Sequence, residues 1–168
     1  MKPLHFILIG IVALALFNSE AGAQIQPWNT IIQINRFQVL NQFSNAAVFD
    51  KETGLVWELS PDINAQDWPN AQVRCNTATV GNRQGWRLPT LQELASLVDP
   101  TLRFGPTLPG GHPFTNVRSS IYWSATSAAS TSAIAWFVSF ADGHVANAVK
   151  TDTHFVWCVR GGQGVDAQ

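Results

Sequence analysis

The chain contains Gly85-Trp86-Arg87-Leu88-Pro89-Thr90-Leu91-Gln92-Glu93-Leu94, a segment that predicts a buried aromatic turn leading into a capped helix. Pro89 disfavours helix at Leu88, because its ring crowds the preceding residue out of the α region. Thr90 is a good N-cap, and Glu93 three residues later completes a T-x-x-E capping box. Apolar residues then continue at helical spacing until Pro100 stops the helix. They are Leu91, Leu94, Ala95, Leu97 and Val98.

The residues before this segment predict a hairpin and a first helix. Residues 46–49 and 55–59 are β-prone runs joined by a bend that contains Gly54. Asp67 is positioned to cap a helix that has a proline in its first turn, where proline is tolerated. One face of that helix carries Trp68, Ala71, Gln72 and Cys75.

A long loop and several short strands follow the second helix. Residues 100–120 are rich in Pro and Gly, and a loop of this length is usually functional or disordered. Strands are predicted at 121–124, 135–140 and 155–160, with a weaker alternation at 145–149 and a loop at 125–132. Asp142-Gly143 is a hairpin turn signal. The pattern predicts an α+β fold, with two helices on short antiparallel sheets and long irregular loops.

The N-terminal residues have the pattern of a secretory signal peptide. Lys2 supplies a positive charge, residues 6–17 are apolar, and Ala21-Gly22-Ala23 is a small-x-small cleavage site. We therefore expect a signal peptide at 1–23, a lead-in strand or tether at 24–45, a domain at 46–162 and a flexible tail at 163–168. The alternative is an uncleaved anchor. No second apolar stretch is long enough to cross a bilayer, so we expect a periplasmic or extracellular protein.

Composition narrows the functional classes. The net charge is −1 and only 12% of the residues are charged, which argues against a nucleic-acid partner. Seven Trp and ten Phe either fill a small β-rich core or line a ligand surface. The residues interpreted as structural are Trp57, Trp86, Arg87, Thr90, Glu93, Trp123, Trp136 and Trp157.

The chain has two cysteines, Cys75 and Cys158. In an exported protein, an even count without a metal motif predicts a disulfide, here between the first helix and the last strand. Two free thiols and a metal-ligand pair are the alternatives. Chain-entropy reasoning assigns such a bridge about 4–5 kcal/mol as an upper figure.

Two D-x-H triplets, Asp142 to His144 and Asp152 to His154, are the strongest metal candidates. Imidazole and carboxylate groups are suitable ligands for zinc and similar ions. A turn aspartate and two strand-end histidines explain the same residues, because Asp-Gly already has a backbone role in a hairpin. We expect neither a metal nor another cofactor, although the pattern leaves metal binding at these triplets open.

No catalytic group emerges from the remaining polar residues. The chain has many Ser residues and four His, but it has no G-x-S-x-G nucleophile elbow. A Ser-His-Asp triad can be assembled from any sequence with this many Ser residues, so the signal is weak. We therefore assign no catalytic residue and expect a protein that is not an enzyme.

The long loop supplies the candidate ligand-binding residues. Aromatic faces and amide or guanidinium groups are the side chains with which proteins meet sugars. The candidates are Phe104, His112, Phe114, Asn116 and Arg118. Phe114 is better explained as an anchor of the loop, since a loop this long must be held to the domain. Arg118 has no partner evident in the sequence and is the stronger ligand candidate.

Six motifs in order carry a resemblance to a known family. They are Thr53-Gly54-Leu55-Val56-Trp57, Trp68 ahead of Cys75, the 85–94 segment, Tyr122-Trp123-Ser124-Ala125-Thr126, Trp136-Phe137-Val138 with Asp142-Gly143, and Cys158-Val159-Arg160-Gly161. Over residues 48–162 the chain resembles the Lcl C-terminal-domain-like family, typified by the end of a bacterial collagen-like adhesin. The resemblance implies a C-type-lectin-like fold, related to formylglycine-generating enzymes, and a binding role at the surface or in the periplasm.

The resemblance leads to one expected function and two alternatives. We expect an exported adhesin-like or lectin-like module that recognises a glycan or a protein at the cell envelope. A structural component of the envelope and a divergent formylglycine-generating-type enzyme are the alternatives. The adhesin domain is associated with sulfated polysaccharides and trimers, but this chain has neither a collagen-like stalk nor an excess of basic residues. The sequence therefore assigns neither the ligand nor the oligomeric state.

Overall fold

The computed structural model describes residues 36–162, so the predictions for 1–23, for 24–35 and for 163–168 lie outside the described residues. The strands are β1 (Phe37–Val39), β2 (Ala47–Asp50), β3 (Leu55–Glu58), β4 (Trp86–Arg87), β5 (Ile121–Ser127), β6 (Ile134–Ser139), β7 (Val145–Val149) and β8 (Val159–Arg160). The helices are α1 (Trp68–Asn76) and α2 (Leu91–Ala95). The strands form two antiparallel sheets, with the orders β1-β2-β3-β8-β4 and β5-β6-β7. The α+β class predicted from the sequence is confirmed.

The predicted hairpin is strands β2 and β3, which pair along their whole length. Gly54 occupies the bend with a φ of 72°, a left-handed conformation that favours glycine. The buried Asp50 carboxylate accepts hydrogen bonds from the Arg36 guanidinium at 2.9 and 2.8 Å and from the Thr53 hydroxyl at 2.9 Å. These bonds fix both the turn and the residue that precedes β1.

Strand β1 lies in the segment for which the sequence left a lead-in strand or a tether open. It pairs antiparallel with β2, from Phe37 opposite Asp50 to Val39 opposite Val48. The end of the lead-in segment is therefore the outer strand of the larger sheet. The Phe37 ring also packs edge-to-face on the Phe114 ring, with centroids 5.0 Å apart.

Helix α1 forms as the sequence predicts. The Asp67 carboxylate caps it by accepting the Asn70 N–H at 3.0 Å, and Pro69 lies in the first turn. Ala71 and Cys75, one turn apart, are fully buried. The helix packs on β4 and β5 through this face.

Helix α2 has the predicted capping box but is shorter than predicted. The Thr90 hydroxyl accepts the Glu93 N–H at 3.2 Å, and the Glu93 carboxylate accepts the Thr90 N–H at 2.8 Å. The helix ends at Ala95, whereas the apolar spacing continues to Val98. Leu97 and Val98 lie in a tighter turn, in which each N–H bonds three residues back, so the apolar spacing persists without α-helix.

Strand β5 is longer than predicted, because residues 125–127 are strand and not loop. The turn before α2 holds this extension in place. The Ala125 N–H donates to the Pro89 carbonyl at 2.7 Å, and the Thr126 hydroxyl accepts the Leu91 N–H at 3.0 Å. The extension is a tertiary effect that local sequence does not encode. The β6–β7 hairpin forms at Asp142-Gly143 as predicted.

The last predicted strand, 155–160, is reduced to the two residues of β8. His154 and Phe155 are drawn to other partners, since His154 bridges Gln66 and Phe155 bridges Tyr122 in β5. Val159 and Arg160 pair with β3 on one side and β4 on the other. The prediction of one continuous closing strand is therefore wrong, although the pairing that closes the larger sheet is present.

Two buried clusters fill the space between the sheets and helices. Trp86, Trp123 and the two cysteines belong to the cluster under α1, whereas Trp57 and Trp157 belong to the cluster under α2. Among residues 36–162, no helix is both long and apolar enough to cross a membrane.

Candidate functional site

The turn that precedes α2 joins three elements through one ion pair. The Arg87 guanidinium donates to the two Glu93 carboxylate oxygens at 2.7 and 2.6 Å, and to the Gly161 carbonyl at 2.7 Å. Gly162 lies against the pair, where an added Cβ would be 2.8 Å from both the Arg87 and the Glu93 side chain. Arg87 and Glu93, which the sequence analysis interprets as structural, thus bond to each other and to the chain after β8.

The charge of Glu93 is stabilised in the folded protein. Burial alone would raise the pKa of Glu93, but the hydrogen bonds and charge of Arg87, with the Thr90 N–H bond, outweigh burial and hold the pKa below its usual range. Glu93 is therefore ionised at neutral pH and fully engaged. It is a structural carboxylate and not a free acid–base group.

A cleft of about 300 Å³ opens beside this turn, between α1, the 87–90 segment and β5. We call it the α1–α2 cleft. Its lining residues are Gln72, Asn76, Arg87, Leu88, Thr90 and Ala125. A volume of this size is at the lower end of the range for small-molecule sites.

Two amide side chains of the α1–α2 cleft have no hydrogen-bond partner within residues 36–162. They are those of Gln72 and Asn76, which are four residues apart and so lie on one face of α1. The other two polar side chains are already engaged, since Arg87 is paired with Glu93 and the Thr90 hydroxyl accepts the Glu93 N–H. The arrangement presents two free donor–acceptor groups beside a neutralised cation and the apolar side chains of Leu88 and Ala125.

The long loop is anchored to the domain by buried residues. The Phe114 ring contacts the Trp157 ring edge-to-face, with centroids 4.8 Å apart, and His112 stacks on Phe114 at 5.8 Å. Burial lowers the pKa of His112. Thr107 and Leu108 are also buried, and the Thr107 N–H donates to the Phe140 carbonyl. Phe114, the candidate better explained as an anchor, is an anchor, and His112 is engaged with it.

One part of the loop projects into solvent. The Asp99 N–H donates to the Thr107 carbonyl at 2.8 Å, which closes the base of residues 99–107. The tip of this closed loop carries Leu102, 38% exposed, and Phe104, 89% exposed. Phe104 has the largest exposed fraction among the large apolar side chains of residues 36–162.

The other two loop candidates lie away from this tip in sequence and have different surroundings. The Asn116 amide donates to the Ser60 hydroxyl at 3.0 Å. The backbone N–H of Arg118 donates to the Tyr122 hydroxyl, and burial raises the pKa of Tyr122 to about 12. The exposed Arg118 side chain has no ion-pair partner in the described part of the chain. None of the five loop candidates lines the α1–α2 cleft.

Cys75 and Cys158 form the predicted disulfide. Cys158 lies one residue before β8, so the bridge fastens α1 to the larger sheet. Burial raises the pKa of the adjacent Glu58 carboxyl, although Arg74 donates to it at 2.7 Å. Arg74 also contacts the Cys158 sulfur. The two cysteines are therefore neither free thiols nor metal ligands.

The histidine rings of both D-x-H triplets contact the Phe137 ring, but their other partners differ. The His144 ring contacts the Asp142 carboxylate at 2.7 Å in the β6–β7 turn. The His154 ring packs instead on Trp123, with centroids 4.5 Å apart, and burial lowers its pKa. Across residues 36–162, no group of three or more His, Cys, Asp and Glu residues is arranged to hold a metal ion.

The six described tryptophans differ in burial. Trp57, Trp86, Trp123 and Trp157 are buried in the two clusters. Trp136 on β6 is half-buried, and its neighbours across the strand pair lie on the exposed face of β7. Trp68 is half-buried with the Lys150 ammonium 3.8 Å from its ring centroid.

These features define a disulfide-stapled α+β domain with one amide-lined cleft and one exposed loop tip. The family model for the Lcl C-terminal domain matches residues 46–160, well over half of the chain, and the chain belongs to this family. A search of curated proteins found no match.

The residues that the sequence did not indicate are Gln72 and Asn76. The sequence predicts Gln72 on one helix face with Trp68, Ala71 and Cys75, but it does not predict a role for Gln72 in a site. Asn76 lies one turn later on the same face, so the helical period was the signal available. The opposite wall of the cleft was not predictable from local sequence, because tertiary contacts bring Leu88 and Ala125 there.

Proposed function

We propose that this chain is an exported, non-enzymatic binding module of the cell envelope, and that it binds a neutral glycan in the α1–α2 cleft. The observation that carries the proposal is the pair of amides, Gln72 and Asn76, directed at the cleft without partners in the described chain. Belonging to the Lcl C-terminal domain family supports a binding role. The alternation of helices, small sheets and long loops is compatible with a C-type-lectin-like fold.

The chemistry of an amide pair suits sugar hydroxyls. Each hydroxyl both donates and accepts a hydrogen bond, and each amide offers two donors and one acceptor. Residues four apart on a helix have Cβ atoms about 6 Å apart, so both amides reach one small ligand. Leu88 and Ala125 supply apolar contacts for the face of a sugar ring.

The electrostatics of the cleft favour a neutral ligand over a sulfated one. The Arg87 charge is neutralised by Glu93, and the Arg87 guanidinium also donates to the Gly161 carbonyl. An incoming sulfate would have to compete with a half-buried carboxylate for this guanidinium. The near-zero net charge of the chain adds no long-range attraction for polyanions.

Export and localisation follow from other features. The predicted signal peptide at 1–23 supports a periplasmic or extracellular protein. The Cys75–Cys158 bridge supports it too, because structural disulfides persist in oxidising compartments.

Binding of neutral and sulfated glycans on an array, followed by titration calorimetry, tests this proposal. The double variant Gln72→Ala/Asn76→Ala should weaken binding of a neutral glycan by about tenfold or more, since two hydrogen bonds are lost. Asn70→Ala is the matched control, because Asn70 lies on the same helix but about 200° around its axis from Gln72. Equal loss in both variants, or binding confined to sulfated glycans, would contradict the proposal.

A protein partner is the second candidate, and the loop tip favours it. Phe104 is 89% exposed on a loop whose base is closed by a hydrogen bond. Phe104→Ser should abolish retention of an envelope protein in a pull-down, whereas Val73→Ser, which changes another exposed apolar residue, should not. Equal retention by both variants would remove this candidate.

The formylglycine-generating-type alternative is less well supported. That chemistry depends on reactive or metal-bound thiols, and the two cysteines of this chain are bonded to each other beneath α1. An activity screen of the oxidised protein against thiol-bearing peptides tests the point. Turnover that survives Cys75→Ala/Cys158→Ala would show an enzyme of a different kind.

A further inference from the structure

Strand β7 is an open edge of the smaller sheet. The sheet order β5-β6-β7 leaves one side of β7 without a neighbouring strand in the described chain. Its sequence is Val145-Ala146-Asn147-Ala148-Val149, with no charged residue and no proline. Natural proteins usually protect an edge of this kind with charges, proline or a bulge.

The pairing of β7 with β6 shows which backbone groups face the open side. The Ser139 N–H donates to the His144 carbonyl, and the Lys150 N–H donates to the Ala133 carbonyl. Opposite residues in an antiparallel pair alternate between bonded and non-bonded. With the register of β6 and β7, this alternation directs the backbone N–H and C=O groups of Ala146 and Ala148 toward β6.

The backbone groups of Val145, Asn147 and Val149 therefore point away from β6. The Val149 carbonyl accepts the Asp152 N–H at 2.9 Å, and the other outward groups have no partner in residues 36–162. The side chains of Val145 and Val149 are 43% and 45% exposed. The edge thus offers both unpaired backbone groups and apolar side chains.

The sequence of β7 is the same read in either direction. When two copies are placed antiparallel with Asn147 opposite Asn147, each Val145 lies opposite a Val149. Outward backbone groups then face outward backbone groups at all three positions, and within residues 36–162 each of them is free except the Val149 carbonyl, which already accepts the Asp152 N–H. A two-fold interface requires this kind of self-complementary surface.

The electrostatics of the edge also permit a second copy. A two-fold axis brings identical side chains together, so a charged residue at its centre would repel itself. The central residue here is an uncharged asparagine. The nearest cation, Lys150, is directed elsewhere, since its ammonium lies 3.8 Å from the Trp68 ring centroid and 2.8 Å from the Ser127 hydroxyl.

We propose that two copies of this chain associate through antiparallel pairing of β7 with β7, about a two-fold axis at Asn147. The two three-stranded sheets become one six-stranded sheet. A strand pair of five residues is a small interface, and so the dimer is reversible and concentration-dependent. This inference does not depend on the α1–α2 cleft or on the identity of any ligand.

Sedimentation equilibrium of the full chain from micromolar to millimolar concentration tests the proposal. Asn147→Asp should raise the dimer Kd by about tenfold or more, because two like charges meet at the axis. Asn70→Asp, which adds the same charge at an exposed position on α1, should leave the Kd unchanged. A wild-type protein that is monomeric throughout, or equal effects of the two variants, would overturn the proposal.

A cross-link tests the register independently. Opposite hydrogen-bonded residues have Cα atoms about 5.5 Å apart, a separation that a short thiol–thiol cross-linker spans. Asn147→Cys should therefore form a covalent dimer with such a cross-linker, whereas Asn70→Cys should remain a monomer. Covalent dimers of both variants in equal yield, or of neither, would contradict pairing at Asn147. Circular dichroism of each variant verifies that the fold is retained.

Discussion

Two neighbouring polar regions differ in whether their hydrogen-bonding groups have partners. In the turn before α2, Arg87, Thr90 and Glu93 bond to one another and to Gly161. Across the α1–α2 cleft, Gln72 and Asn76 have no such partner in the described chain. Engaged groups hold the fold together, whereas free groups on a concave surface are available to a ligand. Under the proposed function, stability depends on the turn and recognition on the helix face.

The largest loss of stability is expected from removing the disulfide that holds α1, the helix that carries the free amides. Cys75→Ala/Cys158→Ala releases α1 from the larger sheet across a sequence separation of 83 residues. We expect a loss of about 4 kcal/mol in unfolding free energy, measured by urea denaturation, and weaker glycan binding. A variant of wild-type stability would show that packing of α1 and the bonds of Trp68 and Arg74 hold the helix without the bridge.

The second-largest loss of stability is expected from breaking the Arg87–Glu93 pair in the turn before α2. Glu93→Ala removes the helix cap and leaves Arg87 without its carboxylate, which should cost about 2 kcal/mol for a partly exposed pair. Glu93→Gln retains hydrogen-bonding capacity and should cost less. Chemical denaturation of both variants checks this order. Equal losses of unfolding free energy in the two variants would mean that Glu93 stabilises the fold through its charge and not through the helix cap.

Acidification should weaken the same turn. The pKa of Glu93 is lower in the folded protein than its ordinary value of 4.5, so its contribution is complete above that value and is lost as pH falls through the folded-state pKa. The stability difference between wild type and Glu93→Gln should therefore shrink from neutral pH to about pH 3. A difference that is independent of pH would contradict this linkage.

Glu58 should behave in the opposite sense, which supplies an internal control. Burial raises its pKa, so the folded state takes up a proton more readily than the unfolded chain. Its ionisation therefore disfavours folding as pH rises through the folded-state pKa. In Glu58→Gln, the unfolding free energy should therefore rise more steeply with pH on the acid side of neutrality than it does in wild type.

Removing the cap hydroxyl alone should have a smaller effect. Thr90→Ala deletes the acceptor of the Glu93 N–H and should cost about 1 kcal/mol. Although Thr90 borders the cleft, its hydroxyl is already engaged, and so glycan affinity should change by less than about twofold. A large loss of affinity at little cost in stability would show that the turn is part of the binding site.

The smallest effect on stability is expected from the free amides. Gln72→Ala/Asn76→Ala should change the unfolding free energy by less than about 0.5 kcal/mol, because the side chains bond to nothing in the described chain. Thermal unfolding checks this expectation. A clear loss of stability would place these amides among the structural groups.

Much of the fold was predictable because local chemistry encodes it. The capping box at Thr90 and Glu93, the proline-bearing start of α1 and the Asp142-Gly143 turn each depend on residues close in sequence. The disulfide was predictable from the count of cysteines. These features require no knowledge of what packs against them.

The wrong predictions concern strands whose length depends on contacts with residues distant in sequence. Strand β5 continues past Ser124 because the Pro89 carbonyl and the Leu91 N–H engage Ala125 and Thr126. The last strand is short because Phe155 bonds to β5 instead. Periodicity along one segment carries no information about these contacts.

The candidate site was harder to predict than the fold. The sequence directed attention to the long loop, where aromatic and amide residues are close together. The structure buries Phe114 and engages Asn116 with Ser60, which leaves Phe104 and Arg118 exposed. The α1–α2 cleft combines residues from three separate segments, and its two free amides were recognisable only once their lack of partners was known.

The most direct test is a nuclear magnetic resonance titration of the side-chain amides with a neutral glycan identified on the array. We predict that the NH₂ signals of Gln72 and Asn76 shift in a saturable manner, while those of Asn70 and the backbone signals of the Phe104 loop do not. Shifts confined to the loop, or spread evenly over all exposed amides, would contradict recognition at the α1–α2 cleft.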